Sequence, residues 1–290
     1  MVPQIDQSPT WIANRIISRV CTGRLSRCVR ATLDPHTQEK SQPKTTFCSI
    51  EERKVKTMRR IALIEELTKG PIPPGSNILV EYDAASQWFA ASFIIAAEWL
   101  KTGGRVSYCV AIRSPDAFRN QLNQLGLHAV ELEKDEKLVI YDWYTTTLGQ
   151  KSTETHAVDS LKVADLSLYF SKEWMRIPSS PDLLRVTDDI SCLSRFNDEK
   201  NWVEIFLSRY VPSTSRAQST TIRGIINGVH SDWVYRTLEA SVDGIIDFKL
   251  QEAGKGMKNF MRIRSLRNVA FDSEWHALNV DDDFRITLER

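Results

Sequence analysis

Five short runs rich in apolar and β-branched residues, at 77–81, 105–111, 137–141, 183–187 and 220–226, recur along the chain with helix-period stretches between them. Strands separated by helices of about 10–15 residues are joined by right-handed crossovers, which produce a parallel sheet covered on both faces. This spacing predicts an α/β fold with a mainly parallel central sheet flanked by helices. The intervening helices are expected at 61–67, 89–100, from Pro115 to Gly126 behind a Ser114 N-cap, at 159–175, 198–211 and 231–238, the last with Ser231 as N-cap. Residues 143–156, with five threonines and a serine, read as a loop. Beyond residue 240 the period changes to two, and 244–250, 258–264 and 284–288 are expected to form C-terminal antiparallel β hairpins.

The 290 residues are 42% hydrophobic and 26% charged, enough for one large domain or two small ones. A formal charge of +1 conceals an asymmetry. Residues 1–57 carry ten Lys/Arg against five acids, Asp6, Asp34, Glu39, Glu51 and Glu52, and are interrupted by prolines 3, 9, 35 and 43. They are expected to form a poorly ordered basic extension, with one short amphipathic helix around Ile12, Ile16, Ile17 and Val20, or to precede a natural start at Met58. The domain proper is then 58–290. It is slightly acidic and lacks the electrostatic footprint of a nucleic-acid-binding body, leaving the extension as the one segment suited to that role. The five cysteines (21, 28, 48, 109 and 192) have no metal-ligand spacing and read as reduced thiols. No apolar run reaches the roughly 20 residues of a membrane helix, and no signal peptide is legible, so a cytoplasmic protein without a membrane partner is expected.

Residues 70–89 read as turn, strand, tight turn and helix. A strand entering a helix N-terminus through a short loop is where α/β proteins bind phosphate, because free amides and the helix dipole converge there. This loop nevertheless contains neither glycine nor lysine.

Three passages carry a family resemblance: Gly-Pro-Ile-Pro-Pro-Gly-Ser-Asn-Ile-Leu-Val-Glu (70–81), Gly-Val-His-Ser-Asp-Trp-Val-Tyr-Arg-Thr-Leu-Glu-Ala-Ser-Val-Asp-Gly-Ile-Ile-Asp (228–247), and Met-Arg-Ile-Arg-Ser-Leu-Arg-Asn (261–268) with Trp275-His276. In order and spacing they resemble the KaiC-like branch of the RecA superfamily of P-loop ATPases. The resemblance implies a RecA-like P-loop NTPase fold, ATP with magnesium as cofactor, and ring oligomers. Its phosphate loop, G-x-x-x-x-G-K-[ST], falls on Tyr82, Asp83, Ala84, Ala85, Ser86, Gln87, Trp88 and Phe89, and the four defining places are Tyr82, Gln87, Trp88 and Phe89. Exchanging an ammonium for an indole removes a charge-assisted contact of roughly 1.5–3 kcal/mol. Trp88 and Phe89 either plug the site or turn inward as core aromatics. The acidic pair that activates water falls on Ala111-Ile112-Arg113-Ser114, which has no carboxylate. The magnesium-holding aspartate is matched by Asp188, with Asp189 beside it, although adjacent acids at a strand end also serve as solvated or capping groups. The inter-subunit finger Lys-x-Arg-Gly retains only its arginine, Arg267, with Ser265 and Asn268 in place of the lysine and glycine.

Losing the cradle, the base and half the finger together argues against hydrolysis. The expected function is that of a degenerate, non-hydrolysing family member with no catalytic residue and no cofactor, serving as a scaffold or regulatory partner through a protein partner or a homo-oligomer. The alternatives are an ATPase with an atypical site using Asp188, Asp189 and a neighbour's Arg267, and nucleic-acid binding through residues 1–57. The histidines at 36, 128, 156, 230 and 276 form no catalytic grouping. Of the eight tryptophans, Trp143, Trp174, Trp202 and Trp233 are expected mostly in the core or an interface, with a base-stacking surface as the alternative.

Overall fold

The computed structural model describes residues 61–176, 180–281 and 284–289, all within one compact unit, Lys54–Arg290. The basic segment 1–57, with its expected helix, lies outside the described residues.

The strands are β1 (Asn77–Tyr82), β2 (Arg105–Val110), β3 (Leu138–Asp142), β4 (Leu183–Thr187), β5 (Thr220–Ile226), β6 (Gly244–Ala253), β7 (Gly256–Leu266), β8 (His276–Val280) and β9 (Ile286–Glu289). The helices are α1 (Ala62–Glu65), α2 (Trp88–Lys101), α3 (Pro115–Gln124), α4 (Ala129–Lys134), α5 (Tyr144–Thr147), α6 (Val163–Arg176), α7 (Glu199–Ile205), α8 (Val211–Ala217) and α9 (Asp232–Ser241). The strands form a nine-stranded sheet in the order β3-β2-β4-β5-β1-β6-β7-β8-β9. From β3 to β6 every pairing is parallel, and from β6 to β9 every pairing is antiparallel. The mainly parallel sheet with C-terminal hairpins is the architecture expected from the spacing.

Each parallel strand buries both of its faces. Ile78, Val80, Val106, Tyr108, Val186 and Ile222 pack with Phe93 and Ile94 of α2 and with Phe118 and Leu122 of α3. Leu79, Cys109, Val139, Tyr141 and Ile225 pack on the opposite side with Leu166, Phe170, Trp202 and Leu238. Burial of these side chains at about 25 cal/mol per Å2 of apolar surface is the main stabilising term.

Several elements differ from the sequence expectation. The α4 helix, following the turn at Gly126, is absent from it: the Ala129 N–H is capped by Asn123 Oδ1 of α3 at 3.0 Å, a partner supplied by the preceding helix. Residues 144–147 form a helical turn inside the expected loop, held at its start by Asp142, whose Oδ1 accepts from the Thr145 N–H at 2.9 Å. The helix expected to end at Val211 passes through one π turn, Phe206–Tyr210, and continues to Ala217. Pro212, which has no N–H to donate, sits in the first turn after this widening and begins α8 without ending the helix. Ser231 does not cap α9 with its hydroxyl, which donates instead to Glu199 Oε2 at 2.6 Å. Strand β6 belongs to the parallel sheet through β1 as well as to the hairpin, and β8, a five-residue strand, joins β7 to β9.

Candidate functional site

The C-terminal ends of the parallel strands β1, β2, β4 and β5 lie on the same edge of the sheet, and the loop 83–87 leads from β1 into α2. Asp83 anchors the loop at its start. Its N–H donates to the Phe248 carbonyl at 3.0 Å, and its carboxylate accepts from Asn227 Nδ2 at 3.0 Å and the Leu250 N–H at 3.2 Å. The Ser86 N–H closes a turn on the Asp83 carbonyl at 2.8 Å, and the Gln87 N–H donates to Asn259 Oδ1 of β7 at 3.1 Å. Three amides of the loop region are thus engaged within the protein. Ala84 and Ala85, at the tip, are exposed.

Trp88, which the resemblance matches to the family's lysine, has no exposure at all. Its ring lies 5.5 Å from Phe248 and 6.2 Å from Tyr82, and its indole N–H donates to the Asp188 carbonyl at 2.8 Å. Gly224 of β5 makes room for it, since a Cβ there would collide with both the Asp188 carbonyl oxygen and the indole nitrogen. Of the two alternatives for this residue, the structure has the core aromatic.

Phe89 behaves differently. It is half-buried, and the Arg113 guanidinium lies over its ring at 3.9 Å. A substituted loop position and a substituted acidic-pair position therefore contact each other. Together with Ala84, Ser86, Gln87, Gln121, Ile226 and Phe284 they line a groove of about 610 Å3.

Adjacent acids at a strand end are expected to be solvated or to cap; Asp188 and Asp189 are both buried, and both accept backbone amides. Asp188 Oδ1 accepts from the Ala111 N–H at 2.8 Å and Oδ2 from Ile112 at 3.5 Å. Burial pushes its carboxyl up to about 8, against these two amides. Asp189 accepts from the Ser191 N–H at 2.8 Å, and burial raises it as well. Tyr82, at the first glycine place, is buried with its hydroxyl near Asp189 but without a well-formed hydrogen bond. No three His, Cys, Asp or Glu side chains gather as a metal set among the described residues.

The model of the KaiC ATPase family matches residues 55–288. The chain belongs to this family. Two solved structures share its fold: a KaiC-like protein from the hyperthermophilic archaeon Pyrococcus horikoshii, 17% identical with a TM-score of 0.62, and the flagellar accessory protein FlaH from Methanocaldococcus jannaschii, 16% identical with a TM-score of 0.62. Each alignment covers 78% of this chain and 94% of the other. No curated protein matches the chain. The segment that the resemblance matches to the family's finger lies just past β7. Arg267 is half-exposed, donating to the Ala240 carbonyl at 3.1 Å with Asp243 Oδ1 at 3.8 Å. Asn268 adopts a φ of +64°, a left-handed conformation that glycine takes readily and asparagine tolerates.

Trp143 and Trp202 are buried in the KaiC-family core, whereas Trp233 is 46% exposed at the start of α9 and stands outside it. No helix among the described residues is long and apolar enough to cross a membrane. Sequence reasoning missed the partners that fix the loop, Asn227, Leu250 and Asn259, because they come from beyond β5 and from within β6 and β7, far along the chain. It also missed Arg185 and Arg223, although a charged residue inside an apolar parallel strand is a visible signal in 183–187 and 220–226.

Proposed function

We propose that this chain is a non-hydrolysing member of the KaiC family that acts as a scaffold or regulatory partner through protein contacts, in the cytoplasm. The observation carrying this reading is the state of Trp88: the residue in place of the phosphate-binding lysine is buried, and its only polar hydrogen is bonded to a backbone carbonyl. The surrounding chemistry agrees with it. The residues present do not fit magnesium and a triphosphate: loop amides that would face phosphate are engaged by Asp83 and Asn259, an aromatic ring stands at the hydroxyl place, and a guanidinium covers that ring. Phosphoryl transfer relies on positioned amides and cations around the phosphates, and here loop amides are engaged within the protein and no lysine stands in the loop.

Titration calorimetry of the full chain with ATP and magnesium is expected to give no saturable heat. Micromolar, magnesium-dependent binding would overturn the reading. The groove of about 610 Å3 beside the loop favours a second reading, in which a nucleotide binds without the phosphate cradle. Phosphate release that drops on Asp188→Ala supports that ATPase, and equal background rates in both proteins remove it.

A further inference from the structure

The sheet ends in β3 on one side and β9 on the other, and an end strand presents backbone donors and acceptors that its own sheet leaves unpaired. The β3 end is buried along all five residues, and Ala157 bridges to it at Asp142. The β9 end is different. Half-buried Ile286 and Leu288 pack on the core and alternate with exposed Thr287 and Glu289. Among the described residues only β8 pairs with this strand.

The register sets where its backbone groups point. Asn279 lies opposite Thr287 and Ala277 opposite Glu289, and in phase with them the Asp281 N–H donates to the Arg285 carbonyl at 3.1 Å. Bonded and non-bonded pairs alternate along an antiparallel ladder. Arg285, Thr287 and Glu289 therefore turn their backbone groups toward β8, and Ile286 and Leu288 turn theirs to the open side. Asp281 fixes this phase at the start of the strand, accepting from the Phe284 N–H through its carbonyl at 3.0 Å and from the Arg285 N–H through Oδ1 at 2.7 Å. A groove of about 770 Å3, lined in part by Ile94, Leu125, Phe284 and Ile286, leaves open space beside Ile286.

A strand added here must set outward-turned residues of its own opposite Ile286 and Leu288. The stretch Arg285-Ile286-Thr287-Leu288-Glu289 meets that requirement itself, because its pattern is symmetric about Thr287: a large aliphatic residue on each side, then charges of opposite sign. Turned about a two-fold axis through Thr287, it places Ile286 opposite Leu288 of the second copy as a bonded pair, and the same pair recurs on the other side of the axis. Thr287 then faces its own counterpart, and Arg285 faces Glu289. Both of these residues also have bonds within their own chain. Their signs matter because like charges directly opposite would resist the pairing.

We propose that β9 pairs antiparallel with β9 of a second copy about a two-fold axis at Thr287, joining the two sheets into one. No residue of the loop 83–87 takes part, so the interface is independent of any nucleotide.

Sedimentation of the full chain over a range of concentrations is expected to show a reversible dimer. Thr287→Lys and Thr287→Glu put like charges on the axis at an exposed position, and each alone is expected to be monomeric at concentrations where wild type is dimeric. Mixed in equal amounts, the two are expected to recover the dimer, because opposite charges meet only if position 287 faces its counterpart. A monomeric wild type, a dimer that either variant retains, or a mixture that stays monomeric overturns the proposal. If the charged variants do not fold, Thr287→Cys decides, since non-bonded antiparallel partners bring their Cα atoms within disulfide reach. A disulfide joining position 287 to its counterpart on mild oxidation supports the axis, and its absence overturns it.

Discussion

An indole under a strand-to-helix loop needs space on its far side, and β5 supplies it at Gly224. The substitution at 88 was legible in the sequence as a lost lysine. Where its ring points was not, because that depends on the Asp188 carbonyl a hundred residues away and on the missing Cβ of Gly224. The same holds for Phe89, whose half-buried position depends on Arg113 from the end of β2. Trp88→Ala is expected to cost about 3–5 kcal/mol by leaving a core cavity. Gly224→Ala is expected to cost about 1–3 kcal/mol by overpacking against the ring. Because one indole underlies both effects, urea unfolding of the double variant should show a cost below their sum, and strict additivity would separate the two residues. Trp88→Lys should leave ATP binding absent in calorimetry, since the amides of Ser86 and Gln87 remain bonded to Asp83 and Asn259.

At the scale of elements, what the sequence revealed were the strands and helices whose apolar pattern is complete within their own residues. What it concealed were those fixed by a partner: α4 by Asn123, β8 by its neighbours, and the helix around 206–210 by the need to pass Pro212. The junction of β1, β6, β7 and α9 is held in the same non-local way. Arg264 reaches Glu81 at 2.6 Å, Glu239 at 2.9 Å and Asp247 at 3.2 Å, while Arg262 reaches Asp247 at 2.7 Å. Three carboxylates share two guanidiniums. Burial pushes Glu81 up to about 7, Arg264 opposes this and Glu239 adds to it. The folded state then keeps a proton that the unfolded chain releases above its ordinary value of 4.5. Stability on this account is greatest at low pH and falls as pH rises from about 4.5 through about 7, with a slope of at most about 1.4 kcal/mol per unit. Urea midpoints across that window should decline less steeply in Glu81→Gln than in wild type, and identical slopes would remove Glu81 as the source.

At the scale of the whole molecule, the parallel order and the hairpin tail follow from crossover handedness and from strands buried on both faces, which is why the fold class could be read from spacing. Assembly could not be read this way, because an interface is a property of surfaces whose side chains the apolar pattern leaves unspecified. In the family resemblance, assembly and nucleotide are linked through a finger reaching a neighbour's phosphates. On the scaffold reading proposed above, that link is lost: Arg267 donates to Ala240 of its own chain, and the indole of Trp88 is bonded to the Asp188 carbonyl. If the chain acts as a scaffold, its contacts with copies of itself must be independent of nucleotide. Light scattering of the full chain is therefore expected to give one mass, unchanged by ATP and magnesium, and the same mass for Arg267→Ala. A mass that rises on adding ATP and magnesium and falls back in Arg267→Ala would return the chain to the nucleotide-dependent assemblies of its family and end the scaffold reading.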